Sequence, residues 1–119
     1  MKILIAEDEQ MLKKAVEFKL KKEGHEVFTA ADGREALNLI KENTFDMIIT
    51  DIMMPFASGL EIIGHVRAQG LKMPIIVVSS IGLENTVLEA FKLGADDFIT
   101  KPFSPNELSM RVNRLLNKM

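Results

Sequence analysis

Cysteine is absent from the 119-residue chain, which excludes a disulfide scaffold and a thiolate metal centre; a reducing compartment is compatible with this. Basic excess is also missing. Fifteen Lys plus Arg stand against 17 Asp plus Glu, a formal charge of −2, so these residues lack the cationic footprint that direct nucleic-acid binding needs. No apolar stretch approaches the length of a membrane span, and Met1–Ala6 is too short a run for a signal peptide before Glu7-Asp8-Glu9. There is no linker, low-complexity tract or repeat, and the length suits one domain, residues 1–119. What is abundant is apolar: a 47% hydrophobic content is too high for a disordered chain. The expectation is a small acidic domain of the cytoplasm, with neither membrane nor nucleic acid as a direct partner.

Two periodicities alternate. Short β-branched runs at Ile3–Ala6, Val27–Ala30, Met47–Thr50, Ile75–Val78 and Phe98–Thr100 predict strands. The first, third and fourth lack polar alternation, as strands covered on both faces do. Between them, three-and-four spacing predicts helices: Leu12, Val16 and Leu20 flanking Met11, Ala15 and Phe18; then Ala36, Leu37 and Ile40; Leu60, Ile63 and Val66; Val87, Ala90 and Phe91; and Leu108, Val112, Leu115 and Met119. Gly24, Gly70 and Gly94 fall just past helix ends, and Ser104-Pro105 reads as an N-cap followed by proline in the first turn. Strand then helix, five times over, predicts an α/β three-layer sandwich of the flavodoxin-like kind. Its parallel sheet of five strands takes the order 2-1-3-4-5, with five helices.

Ligands of such sheets bind beyond the carboxyl ends of the strands, near the point where strand order reverses. Glu7 and Asp8 follow the first strand, Asp51 the third, Ser79 and Ser80 the fourth, Lys101 and Pro102 the fifth. The edge strand remote from the reversal ends in Ala30-Ala31. Each polar residue alone reads as a cap, a turn former or a solvated charge. Together, Glu7, Asp8 and Asp51 crowd into one crevice and repel unless a cation sits among them. Oxygen donors without His or Cys suit Mg²⁺. A carboxylate so neutralised is a competent nucleophile toward phosphorus, with Lys101 offsetting charge on the transferring oxygens and Ser79 donating to one of them.

These residues resemble a known family. Glu7-Asp8, Asp51-Ile52-Met53-Met54-Pro55 with Gly59, Ser79, and Gly94 through Phe103 together are similar to response-regulator receiver domains, the CheY-like module of bacterial two-component signalling. The resemblance implies that Asp51 accepts a phosphoryl group from a histidine kinase. It implies that Asp8, Asp51 and the Met53 backbone carbonyl hold Mg²⁺, with Glu7 acting through water. Ser79 and Lys101 contact the phosphoryl group, Ser79 and Phe98 form the switch, and the Lys101–Pro102 bond is cis. It further implies an altered face of the fourth helix, fifth strand and fifth helix that controls a partner or an output domain such as a DNA-binding domain.

Relatives joined to winged-helix domains dimerise through that face, where Asp96, Asp97, Glu107 and Arg111 match the charged positions. Val87 stands where a base is usual, so the ion-pair set is incomplete. A phosphorylation-dependent homodimer with apolar contact through Val87 and Phe91 is one reading; ordinary solvated charges with Val87 as core is the other. Two residues beyond Asp51 and Ser79 stand Met53 and Ile81, neither able to orient a hydrolytic water, which predicts slow dephosphorylation. His25 and His65 read as surface residues without a role. Two other classes compete. A flavin carrier needs a phosphate-cradling loop where Glu7-Asp8-Glu9 would repel one, and an aspartyl-nucleophile phosphatase needs a second Asp where Met53 stands.

Overall fold

The computed structural model describes residues 1–80 and 84–117; Ile81 and Met119, both invoked above, lie outside them. Among the described residues ten elements alternate strictly: β1 (Lys2–Ala6), α1 (Gln10–Lys22), β2 (Glu26–Ala30), α2 (Gly33–Glu42), β3 (Met47–Asp51), α3 (Gly59–Ala68), β4 (Ile75–Ser79), α4 (Glu84–Leu93), β5 (Asp97–Thr100) and α5 (Pro105–Leu116). All pairings are parallel and the order is β2-β1-β3-β4-β5, the flavodoxin-like arrangement expected.

Strand periodicity of two explains the three layers. Ile3, Ile5, Met47, Ile49, Ile76 and Val78 face Val16 and Leu20 of α1 and Leu108 and Val112 of α5. The alternate residues Leu4, Ala6, Ile48, Ile75 and Val77 face Ala36 and Ile40 of α2, Ile62, Ile63 and Val66 of α3, and Ala90 of α4. β3 and β4 are buried at all five positions, whereas the edge strands β2 and β5 expose one residue each. Both faces of the central strands are thus covered, which their unbroken apolar runs require.

The helix ends follow local chemistry. Ser58 and Glu61 form a reciprocal capping box at α3, and Ser104 caps α5 ahead of Pro105. Asp32 caps α2 by accepting from the Glu35 amide at 2.8 Å. Gly24, Gly70 and Gly94 have φ of 94°, 78° and 120°, values that glycine adopts without a Cβ penalty.

Sequence periodicity left one point open that the structure decides. On α1 the stripe facing the core is Leu12, Val16 and Leu20, while Met11 and Phe18 are 87% and 70% exposed and Ala15 is exposed beside them. His65 is exposed as expected, but His25 is half-buried. Its Nδ1 has no hydrogen-bond partner among the described residues, and burial, followed by the nearby chain amino terminus, lowers its pKa.

Candidate functional site

Asp51 ends β3 and Ser79 ends β4: each strand runs one residue further than predicted and takes in the residue expected to follow it. Glu7 follows β1, and Lys101 follows β5. Alternation along the strands aims three of these one way: Ile3 and Ile5 lead to Glu7, Met47 and Ile49 to Asp51, and Ile99 to Lys101, all on the α1–α5 side. Lys101 has the length to cross the end of β4 and meet the acids. The register pairs Asp51 with Val78 and Ser79 with Thr100, so the buried Ser79 stands one step beyond the partner of Asp51.

One oxygen from each of Glu7, Asp8 and Asp51 lies within 4.8 Å of the others. Into this group Lys101 projects its Nζ, donating to Asp51 Oδ2 at 2.8 Å and to Glu7 Oε2 at 3.1 Å, and standing 3.5 Å from Glu9 Oε1. The ammonium is therefore among the acids rather than across a gap from them. Glu7 Oε2 also accepts from the Glu9 amide at 3.0 Å. Its buried Oε1 lies 3.0 Å from Nζ but has no hydrogen bond. Asp8 is exposed, whereas Glu7 and Asp51 are buried.

The electrostatics follow from that packing. Burial raises the Glu7 carboxyl from 4.5 to about 7, against the Glu9 amide and Lys101, which lower it; repulsion from Asp51 adds to the rise. The carboxylate crowding expected from sequence is real, but for Glu7 it ranks behind burial. Burial alone would lower the Lys101 pKa; the hydrogen bonds to Asp51 and Glu7 outweigh it and the net shift is upward, so the ammonium stays charged. Among the described residues three carboxylates, Glu7, Glu9 and Asp51, meet the Lys101 ammonium, and Asp8 adds a fourth to the acid cluster. A buried oxygen that makes no hydrogen bond, three acids within a cation's reach, and neither His nor Cys among the ligating groups fit a hard divalent ion such as Mg²⁺.

The loop after β3 closes the other side. The Met53 amide donates weakly to Asp51 Oδ1 at 3.4 Å, and the Met53 side chain is exposed. The Gly59 amide donates to the Ile52 carbonyl at 2.9 Å, and a Cβ on Gly59 would overlap the Asp51 carbonyl oxygen, so only glycine lets α3 start this close to the acceptor. The Lys101–Pro102 peptide is cis. A cleft of about 350 Å³ opens beside Lys101, lined by Glu9, Leu12, Ser80, Pro102 and Phe103. Phe98 is half-buried against the α2–α3–α4 core.

The charges assigned to the fourth-helix face pair within the chain. Asp97 accepts from Arg111 at 2.9 Å and Arg114 at 3.1 Å, and Glu107 accepts from Arg111 at 3.4 Å. Asp96 Oδ2 takes the Ile75 amide at 2.8 Å and Arg67 at 3.0 Å, tying β4 to the start of β5. Val87 is half-buried, and Phe91 is 43% exposed. Sequence reasoning missed Arg67 and Arg114, whose partners lie 29 and 17 residues away; no local pattern marks them.

This fold with an acidic pocket and a strand-end lysine defines a receiver module. The family model described as "Response regulator receiver domain" matches residues 3–113, and the chain belongs to that family. It is 37% identical over 117 residues to the alkaline phosphatase synthesis transcriptional regulatory protein PhoP of Bacillus subtilis, covering 98% of this chain and 49% of PhoP. The chain thus spans about half the length of that curated relative. Among solved structures, the Francisella response regulator 1452 receiver domain superposes with a TM-score of 0.92 at 37% identity, covering 98% of this chain and 97% of that one. TrrA of Thermotoga maritima, in complex with Mg²⁺-BeF, matches at 0.85 and 32% identity over 96% of this chain and 97% of its own. The chain is a receiver domain of a two-component response regulator, a phosphorylation-dependent signalling switch. Among the described residues no helix is long and apolar enough to cross a membrane.

Proposed function

We propose that residues 1–119 form one receiver domain in which Asp51 accepts a phosphoryl group from the phosphohistidine of a histidine kinase. The observation that carries this reading is the meeting of Glu7, Asp8 and Asp51 within 4.8 Å of one another with Lys101 Nζ 2.8 Å from Asp51. Asp8, Asp51 and the Met53 carbonyl would hold Mg²⁺, with Glu7 reaching it through water. Bound there, the ion supplies positive charge against the acids and the phosphoryl oxygens. An Asp51 carboxylate oxygen attacks phosphorus, the P–N bond to the kinase histidine breaks, and the imidazole leaves with the electron pair. Lys101 already contacts the nucleophile and needs only a side-chain rotation to follow a new oxygen; Ser79 donates to another.

The energy of those contacts is enough to drive a switch. Charge-assisted hydrogen bonds contribute about 1.5–3 kcal/mol each, so Ser79 and Lys101 together supply roughly 3–6 kcal/mol. Moving a two-state element from mostly off to mostly on takes about 5.5 kcal/mol. Ser79 and Phe98 are the moving parts, and the α4–β5–α5 face is the readout. Support for that face comes from its exposed Leu88, Phe91 and Met110 beside rearrangeable ion pairs of Asp97, Glu107 and Arg111. A homodimer formed there on phosphorylation, and a DNA-binding output domain as the name of PhoP suggests, complete the proposal, with the cytoplasm as its place of action. On α1, exposed Met11, Ala15 and Phe18 share one face by their spacing and offer a helical partner a seam that begins beside the acids.

The test is intact mass after incubation with Mg²⁺ and a small phosphodonor such as acetyl phosphate. One phosphoryl group is expected on the wild type and none on Asp51→Asn or in excess chelator; modification that persists in either control would overturn the reading.

A further inference from the structure

Two residues beside the site break local rules, and they meet each other. Phe56, in the loop between β3 and α3, has φ 73°, the left-handed region that a bulky side chain rarely occupies. Arg34 is the second residue of α2, the end of a helix where the macrodipole disfavours a cation. The Arg34 guanidinium lies over the Phe56 ring, 4.0 Å from its centroid. Core burial does not explain either choice, since Phe56 is 68% exposed and Arg34 is exposed too. Outliers of this kind persist where the surroundings hold them for a purpose.

What they hold is the segment that follows Asp51. Immediately before Phe56, the Pro55 carbonyl accepts the Gly33 amide at 3.1 Å and the Ala57 amide at 2.9 Å. Immediately after it, Ala57 is packed against Gly33 so closely that a Cβ there would overlap the Ala57 carbonyl. The ring is therefore pinned by Arg34 while the chain on both sides is pinned by Gly33. Three residues upstream lies the Met53 carbonyl, and the Met53 amide reaches back to Asp51 Oδ1.

We propose that Arg34 and Phe56 form a strap from α2 that fixes the β3–α3 loop and so positions the Met53 carbonyl for the divalent cation. They are positioning residues, acting through the backbone. The inference rests on the site holding Mg²⁺, as proposed above.

Mg²⁺ titration of the whole chain, followed by amide chemical shifts and paired with urea unfolding in chelator, separates this from a structural role. Phe56→Gly removes the left-handed strain, so its metal-free stability is expected to equal or exceed the wild type while Mg²⁺ affinity falls about tenfold, the low end for loss of an outer partner. Arg34→Ala is expected to weaken Mg²⁺ likewise. Simple electrostatics predicts the opposite, because deleting a positive charge removes repulsion of Mg²⁺. Phe56→Tyr keeps the ring and should bind as the wild type does. Unchanged or tighter binding in either Phe56→Gly or Arg34→Ala overturns the strap, as does a Phe56→Gly protein that loses stability along with affinity. Failure of the wild type itself to bind Mg²⁺ would instead overturn the site assignment on which the strap depends.

Discussion

Replacing Glu7 with Gln should change how stability depends on pH in the metal-free protein. Burial holds the wild-type carboxyl at about 7 in the folded chain against 4.5 when unfolded. The folded state thus binds this proton more tightly than the unfolded state does. Stability linked to it is fully present below about pH 4.5, is lost as pH rises toward 7, and the loss is then constant. At 1.36 kcal/mol per pH unit, the full loss is about 3 kcal/mol, of which about 2.5 falls between roughly pH 5 and pH 8. A glutamine carries no charge at any of these pH values. Urea unfolding of both proteins in chelator should therefore show Glu7→Gln gaining about 2–3 kcal/mol on the wild type from about pH 5 to pH 8. Other carboxylates titrate in both proteins and cancel in the difference. A difference that stays flat across the range would refute the reasoning, since Glu7 would then ionise in the folded state as easily as in the unfolded chain. Saturating Mg²⁺ should flatten the wild-type slope, because the cation takes over the role of the proton.

Other consequences can be checked more briefly. Gly59→Ala should cost about 1–3 kcal/mol in urea unfolding, because the new methyl overlaps the Asp51 carbonyl and the start of α3 must shift; a neutral result would mean the loop yields freely. Asp97→Ala should destabilise by about 1–3 kcal/mol by stripping Arg111 and Arg114 of a mostly buried acceptor, whereas Glu107→Ala, on an exposed pair, should cost under about 1 kcal/mol in the same assay. Once donor is removed, the acyl phosphate should decay slowly, since the apolar Met53 cannot orient water; mass spectra showing decay in seconds would contradict this. Ser79→Ala should still take up phosphate but show a smaller spectral change at Phe98, and an undiminished change would remove Ser79 from the switch.

Much of this architecture could be read in the chain itself, for identifiable reasons. Ile3–Ala6, Met47–Thr50 and Ile75–Val78 are short, β-branched and unalternating, a pattern that suits doubly covered strands, and the observed strands differ from the predicted ones by a residue at an end. Because parallel strands deliver their carboxyl ends to one edge, Glu7, Asp8, Asp51, Ser79 and Lys101 could be grouped before any coordinates. The rest depends on distances that no spacing encodes. Periodicity found both apolar stripes of α1 but could not say that Leu12, Val16 and Leu20 face the sheet while Met11 and Phe18 do not. Charges at Asp96, Asp97 and Arg111 were visible, yet the further partners Arg67 of α3 and Arg114 of α5 were not. The left-handed Phe56 gave no signal at all, since phenylalanine is among the last residues expected there. The position of Lys101 among the acids depends on a side chain crossing β4.

The most direct measurement is chemical localisation of the phosphoryl group. Protein treated with Mg²⁺ and phosphodonor, reduced with borohydride and digested, should yield a peptide in which position 51 has become homoserine, with Asp8 and Glu7 unaltered. Reduction at another carboxylate, or at none, would contradict the account.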